Sequence, residues 1–229
     1  MKYKLKTILL SSENGTTQGI FLVEFDSRYD LAMTFLRYQE FYESPSPKFR
    51  NKCFTILDYM EWYSKQPDKN NSFTYPDDWA GFNIPDHIIY SLAHKIPDYN
   101  KYDACMDSIV DKIDRIMGRA GGYTGSKFYI TGAQTGQNEV VLHEVAHALY
   151  YLSESYRKEI DKKYKALSDK HKRSIESFLK DNGYTKHVYK DEAQAYLSTG
   201  DRTGNKLVSL NVRKAFVEVF DRYAGNIIL

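Results

Sequence analysis

The sequence predicts an α+β fold in which a small sheet packs on a buried helix, with additional helices from the N-terminal half. Residues Tyr3–Leu10 and Gly19–Phe25 read as two strands, and Asn14-Gly15 between them is typical of a hairpin turn. Lys127–Thr131 is a third short run of strand-forming residues. Most of the remaining chain has apolar residues at helical spacing.

The predicted helices span Ser27–Tyr42, Phe54–Lys65, Asp86–Lys95, Tyr102–Arg119, Glu139–Ser153, Ser155–Lys180, Asp191–Ser198 and Val208–Ala224. Ser27 is the expected cap of the first, and Gly183 is expected to end the long charged helix. Because Gln66–Pro85 is rich in Pro, Asp, Asn and aromatic residues, it is predicted to be an ordered loop. Gly121-Gly122 and Gly132–Gln137 are predicted turns, and Lys186–Tyr189 a short strand.

Length and charge restrict the class of protein. The 229 residues suit one domain, with residues 1–100 as a candidate N-terminal subdomain. A net charge of +2, from 32 basic and 30 acidic residues, favours neither nucleic acid nor a membrane surface as a partner. Two cysteines are too few for a disulfide framework, and no signal peptide or membrane span is recognisable. We therefore expect a cytoplasmic protein, in the host cytoplasm if the chain is virus-encoded.

The motif with the clearest chemistry is His143-Glu144-Val145-Ala146-His147. On a helix, residues four apart project on one side, so the two imidazoles can bind one zinc ion. Glu144 lies beside them and can accept a proton from water bound to the metal. The neighbours of the motif are nearly all apolar, which predicts a buried helix. Burying two His and a Glu is costly unless they are paired or bind a metal, although a purely structural polar triad is the alternative.

Zinc needs a third protein ligand, and Glu192 is the first choice. It lies in the predicted helix that starts at Asp191, where Asp191 and Gln194 have capping-box spacing. An ordinary first-turn acid, favoured by the helix dipole, is the alternative interpretation of Glu192. His171 and His187 are fallback ligands, and Asp191 is a weaker one.

The motif resembles that of the zincin metallopeptidases, and the distant Glu192 resembles the gluzincin branch. The long gap between His147 and Glu192 is similar to that in the catalytic domain of the anthrax toxin lethal factor, and phage-encoded proteins with this motif are also similar. The resemblance covers about Lys127–Gly200 and implies a zincin-like catalytic core at 120–229. Unlike the thermolysin pattern, in which an Asp a few residues after the Glu ligand braces the first His, Ala195 and Tyr196 stand here.

The resemblance implies a zinc cofactor and a peptide or protein substrate that pairs with a strand beside the cleft. Lys127–Thr131 is placed for that role if it has a free edge, and an internal strand with both edges paired is the alternative. A donor to the developing oxyanion is also expected. Tyr189 is the first choice, and Tyr184, His187 and Tyr196 are the other candidates.

Two other functions fit the motif. Peptide deformylase uses the same pentapeptide with an upstream Cys ligand, but the surroundings of Cys105 lack the small residues expected of that family. A non-catalytic binding module with a structural zinc is the second alternative, and it predicts a closed metal site with four ligands or no metal. The sequence alone leaves the oligomeric state and the substrate open.

Overall fold

The computed structural model describes residues 1–13, 16–118, 125–199 and 202–225, which form two compact units. The first unit is Met1–Gln137 and the second is Asn138–Leu229. The predicted turns at Asn14-Gly15 and Gly121-Gly122 lie outside the described residues. A mixed sheet and many helices make the fold α+β, as predicted.

The first unit contains a sheet whose described strands are β1 (Tyr3–Glu13), β2 (Thr16–Phe25), β3 (Gly81–Pro85) and β4 (Lys127–Gln134), in the order β1-β2-β4-β3. β1 and β2 pair antiparallel, so the predicted strands form a hairpin pair. β4 runs parallel to β2 on one side and antiparallel to β3 on the other. Because β4 has partners on both sides, the prediction of a free peptide-binding edge at Lys127–Thr131 is wrong, and the internal-strand alternative is confirmed.

The segment predicted as a loop, Gln66–Pro85, contains α3 (Tyr75–Asp78) and the strand β3. In β3, Phe82 and Ile84 are buried and pair with β4, so tertiary pairing outweighs the loop-like composition. β4 likewise extends through the predicted turn at Gly132. A side chain there would put a Cβ 2.6 Å from the Phe35 ring, so only glycine lets this ring approach the strand.

The other helices of the first unit are α1 (Arg28–Glu43), α2 (Ile56–Ser64), α4 (Asp86–Leu92) and α5 (Lys101–Ile116). Ser27 caps α1 as predicted, since its hydroxyl accepts a hydrogen bond from the Asp30 backbone at 3.1 Å. The sheet and these helices enclose one core of aliphatic and aromatic side chains, including Phe21, Phe35 and Ile109. This core stabilises the first unit by burial of apolar surface.

In the second unit the described elements are helices: α6 (Asn138–Leu152), α7 (Glu154–Lys165), α8 (Asp169–Asp181), α9 (Tyr189–Ser198), α10 (Arg202–Leu207) and α11 (Leu210–Ala224). Within this unit α9 packs against α6, α8, α10 and α11. No helix in the described part of the chain is both long and apolar enough to cross a lipid bilayer.

The predictions of one long helix and of a short strand in the second unit are wrong. The single helix predicted at Ser155–Lys180 is two helices, because the Ser168 hydroxyl accepts a hydrogen bond from the His171 backbone at 3.3 Å and starts α8. Lys186–Tyr189 is a turn leading into α9 and not a strand, with the Val188 N–H bonded to the Thr185 carbonyl at 3.1 Å. Gly183 follows the end of α8 as predicted, with a φ of 83° that favours glycine.

Candidate metal centre

The two histidines of the motif project from one side of α6. Their Nε2 atoms lie 3.3 Å apart, and the rings meet at 76°. The His147 side chain is 2% exposed and that of His143 is 16% exposed. The helical spacing thus brings two ring nitrogens together, with the His147 ring buried and the His143 ring partly exposed.

Glu192, on α9, completes the group. One of its carboxylate oxygens lies 3.7 Å from His143 Nε2 and the other lies 3.8 Å from His147 Nε2. Donor atoms of His143, His147 and Glu192 all lie within 4.8 Å of one another. The three residues predicted from sequence as metal ligands are therefore brought to one place, from two helices far apart in the chain.

The donor set fits a zinc ion. Two imidazole nitrogens and one carboxylate oxygen are the protein ligands of many catalytic zinc sites. Glu192 is 6% exposed, and its Oε2 has no hydrogen-bond partner, which is costly for a buried charged oxygen. A cation among the three side chains would satisfy that oxygen. The His-His-Glu group could therefore hold a divalent metal ion.

The electrostatics of the site also favour a cation. Burial lowers the pKa of His147, but the nearby carboxylates of Asp191, Glu192 and Glu144 outweigh it, so the net pKa is raised well above its ordinary value. Carboxylates thus surround a buried imidazole. The same negative potential that holds a proton on His147 would hold a metal ion, for which the proton competes.

Asp191 contacts the far side of the His147 ring. Its Oδ1 lies 3.0 Å from His147 Nδ1, the distance of a hydrogen bond, although the angle falls outside the usual range. Since Nδ1 faces Asp191, Nε2 is the nitrogen left for a metal. The capping box predicted for Asp191 and Gln194 is wrong, because α9 begins two residues earlier, at Tyr189, after Val188.

Glu144 lies on α6 between the two histidines in sequence and is 6% exposed. Its charge contributes to raising the pKa of both His147 and Tyr184, so the carboxylate is electrostatically coupled to the cluster. A buried carboxylate at this position is suited to accept and return a proton.

Two tyrosines border the cluster. The Tyr196 ring packs against the His143 ring with centroids 4.7 Å apart, and its hydroxyl lies 3.1 Å from that of Tyr184. Burial raises the pKa of Tyr184, and the charge of Glu192 raises it further. Tyr189, the first choice from sequence, is the first residue of α9 and is half-buried. Of the other candidates, Tyr196 contacts the cluster directly, and Tyr184 contacts Tyr196.

The fallback ligands lie elsewhere. His171 is in the first turn of α8, and His187 Nδ1 is 2.7 Å from the Thr185 hydroxyl. Cys105 is buried in α5. Among the described residues, the group close enough to share an ion consists of His143, His147 and Glu192.

Comparison with known protein families, with curated proteins and with solved structures finds no match to this chain.

Proposed function

We propose that the protein is a zinc-dependent peptidase whose metal is held by His143, His147 and Glu192. The proposal is supported by the donor atoms of these three residues, which lie within 4.8 Å of one another, and by the buried Glu192 Oε2, which has no hydrogen-bond partner. Three protein ligands would leave a bound zinc ion able to accept water or substrate, as in catalytic zinc sites. A structural site would be expected to close with four ligands.

The His-Glu-x-x-His helix and the distant Glu192 support assignment to a zincin-like class of the gluzincin type. The α+β fold is compatible with that class. A bound zinc ion would supply a Lewis acid that lowers the pKa of water and polarises a carbonyl group.

In the proposed reaction, Glu144 moves the proton. One of its carboxylate oxygens accepts a proton from the attacking water as the water oxygen bonds to the peptide carbonyl carbon. Glu144 then delivers that proton to the nitrogen of the leaving amine as the C–N bond breaks. Water and one amide bond are consumed, and a carboxylic acid and an amine are formed. Burial of Glu144 keeps bulk water from competing for the proton.

A hydroxyl donor to the oxyanion is the remaining requirement. We assign it to the Tyr184–Tyr196 pair in preference to Tyr189, because the Tyr196 ring contacts His143 and the two hydroxyls are 3.1 Å apart. The Tyr184 hydroxyl can hold that of Tyr196 in place. Tyr196→Phe should then lower kcat more than it raises KM, whereas Tyr189→Phe should change neither appreciably.

Glu144→Gln tests the function directly. The zinc-loaded protein and this variant are incubated with a diverse peptide library, and new termini are identified by mass spectrometry. We expect cleavage by the wild type and a loss of roughly 100- to 10,000-fold in the variant, with zinc retained. Glu139→Gln, which removes an exposed acid from the same helix, is the matched control and should cleave normally.

The same assay separates the alternatives. Cleavage confined to N-terminal formyl groups would indicate a deformylase-like amide hydrolase. Zinc bound by the wild type with no hydrolysis of any peptide would favour a zinc-stabilised binding module. Full activity in Glu144→Gln would overturn the proposed mechanism.

A further inference from the structure

Gln194 is a fully buried amide, 0% exposed, on α9 two residues after Glu192. Its Nε2 donates to Asp191 Oδ1 at 3.0 Å and to the Ala146 carbonyl at 3.1 Å. Its Oε1 accepts a hydrogen bond from the Tyr156 hydroxyl at 2.9 Å. One side chain thus joins α9 to α6 and α7.

The contacts fix which way the amide points. A carboxylate and a backbone carbonyl can only accept hydrogen bonds, so the NH2 group must face Asp191 and Ala146. The oxygen then faces Tyr156, whose hydroxyl can donate. The flipped orientation would set the amide oxygen against two acceptors in the protein interior. Gln194 is therefore locked in one state.

Both acceptors belong to the environment of the metal site. Ala146 lies within the His-Glu-x-x-His motif, directly before His147. Asp191 Oδ1, which accepts from Gln194, is the atom that lies 3.0 Å from His147 Nδ1. The chain of contacts runs from Tyr156 through Gln194 and Asp191 to the ring of His147.

We propose that Gln194 is a positioning residue that fixes Asp191, and through it the His147 ring, so that Nε2 of that ring is presented to the metal. This inference rests on the metal centre proposed above. Gln194 also ties the helix that carries Glu192 to the helix that carries both histidines. The buried amide thereby sets the distance between the two parts of the ligand group.

Gln194→Leu keeps the approximate size of the side chain and removes both donors. Asp191 then loses the partner that restrains it, and His147 loses its orientation. We expect the affinity for zinc, measured by competition with a chromophoric chelator, to fall roughly 10- to 100-fold with one binding site retained. In the cobalt(II)-substituted protein, the visible absorption bands should shift, because they report the arrangement of the ligands.

Ser198→Ala is the matched control. Ser198 is buried on the same helix, and its hydroxyl lies 3.4 Å from that of Tyr156, but it does not contact Asp191. This variant should have the zinc affinity and the cobalt spectrum of the wild type, even if its melting temperature falls. If Ser198→Ala and Gln194→Leu lost zinc affinity equally, a general loss of packing would explain both results. That outcome would overturn the proposal.

Asp191→Asn provides a second test of the positioning role, and its own zinc affinity does not depend on how well Gln194→Leu folds. If Gln194 acts through Asp191, the losses of affinity in the two single variants will not add in the double variant. Additive losses of zinc affinity, or an unchanged affinity in Gln194→Leu, would contradict the positioning role of Gln194. Neither result would contradict the proposed metal centre. A wild-type protein that binds no zinc would overturn the metal centre and this inference together.

Discussion

The two units bury charge in opposite ways. In the first unit, Arg37 is 1% exposed, and its guanidinium donates to Asp103 at 2.9 Å, to Asp98 at 2.8 Å and to the Phe54 carbonyl. In the second unit, Glu192 and Glu144 are buried near two imidazoles, and Glu192 keeps an oxygen without a partner. The first group is complete, whereas the cation that we propose would complete the second. A complete buried network serves stability, whereas an incomplete one leaves a group that a proton or a bound ligand can satisfy.

The largest effect expected on stability follows from breaking the complete group. Arg37→Met leaves Asp103 buried without its cation, since Asp103 is 3% exposed. We expect the free energy of unfolding to fall by about 3–5 kcal/mol in chemical denaturation. Arg115→Met, an exposed arginine on the same helix as Asp103, should change it little. A small loss in Arg37→Met would mean that the Arg37 network is not what stabilises the first unit.

Glu40 provides a test of the comparison, because it is a buried acid of the first unit that lies among hydroxyl groups. Burial raises the pKa of Glu40 to about 7, and the nearby hydroxyl groups of Tyr59, Ser44 and Tyr75 partly oppose that rise. With the folded pKa above the ordinary value, the folded state holds the proton more tightly than the unfolded chain. The stabilisation of the folded state by this bound proton is then complete below about pH 4.5, and it is lost as pH rises through about 7.

Glu40→Gln replaces the protonated acid by a neutral group of the same shape. The stability of this variant relative to the wild type should therefore increase from pH 5 to pH 8, by up to about 3 kcal/mol. Denaturation at both pH values measures the difference, and the exposed Glu61→Gln serves as control. A difference that does not change with pH would show that Glu40 is ionised throughout, as an acid with a cation partner would be.

The smallest effect concerns the break between α7 and α8. Ser168→Ala removes the cap of α8 and should destabilise the protein by about 1 kcal/mol without changing the zinc affinity. Ser174→Ala, an exposed position inside α8, should be neutral or slightly stabilising, because alanine is the better helix former. Equal effects at the two positions would mean that the Ser168 hydroxyl does not start the helix.

Much of the fold could be predicted, where a strong local pattern and tertiary packing agree. The hairpin strands, the cap at Ser27 and the α6 helix follow from alternation, capping and apolar spacing. β3 could not be predicted, because its loop-like composition is overridden by pairing with β4. The break between α7 and α8 at Ser168 could not be predicted either, because the residues around it are charged helix formers.

The three residues of the proposed ligand group could be predicted because zinc needs a third ligand and few residues qualified. The contact of Asp191 with His147 could not be predicted. A spacing of three between Asp191 and Gln194 fits a capping box, but it also fits two neighbours inside a helix. Because α9 starts at Tyr189, Asp191 and Gln194 are two neighbours inside the helix. No side chain caps the start of α9, so the sequence carries no capping signal for it. The contact with His147 depends on how α9 packs on α6, which one sequence does not show.

Calorimetric titration of the metal-free protein with zinc determines whether the His143–His147–Glu192 group binds a cation. We predict one equivalent of zinc bound by the wild type and by Glu176→Gln, an exposed acid on α8, and a large loss of affinity in Glu192→Gln. Zinc binding that is equally tight in Glu192→Gln, or absent from the wild type, would show that this group is not a zinc site.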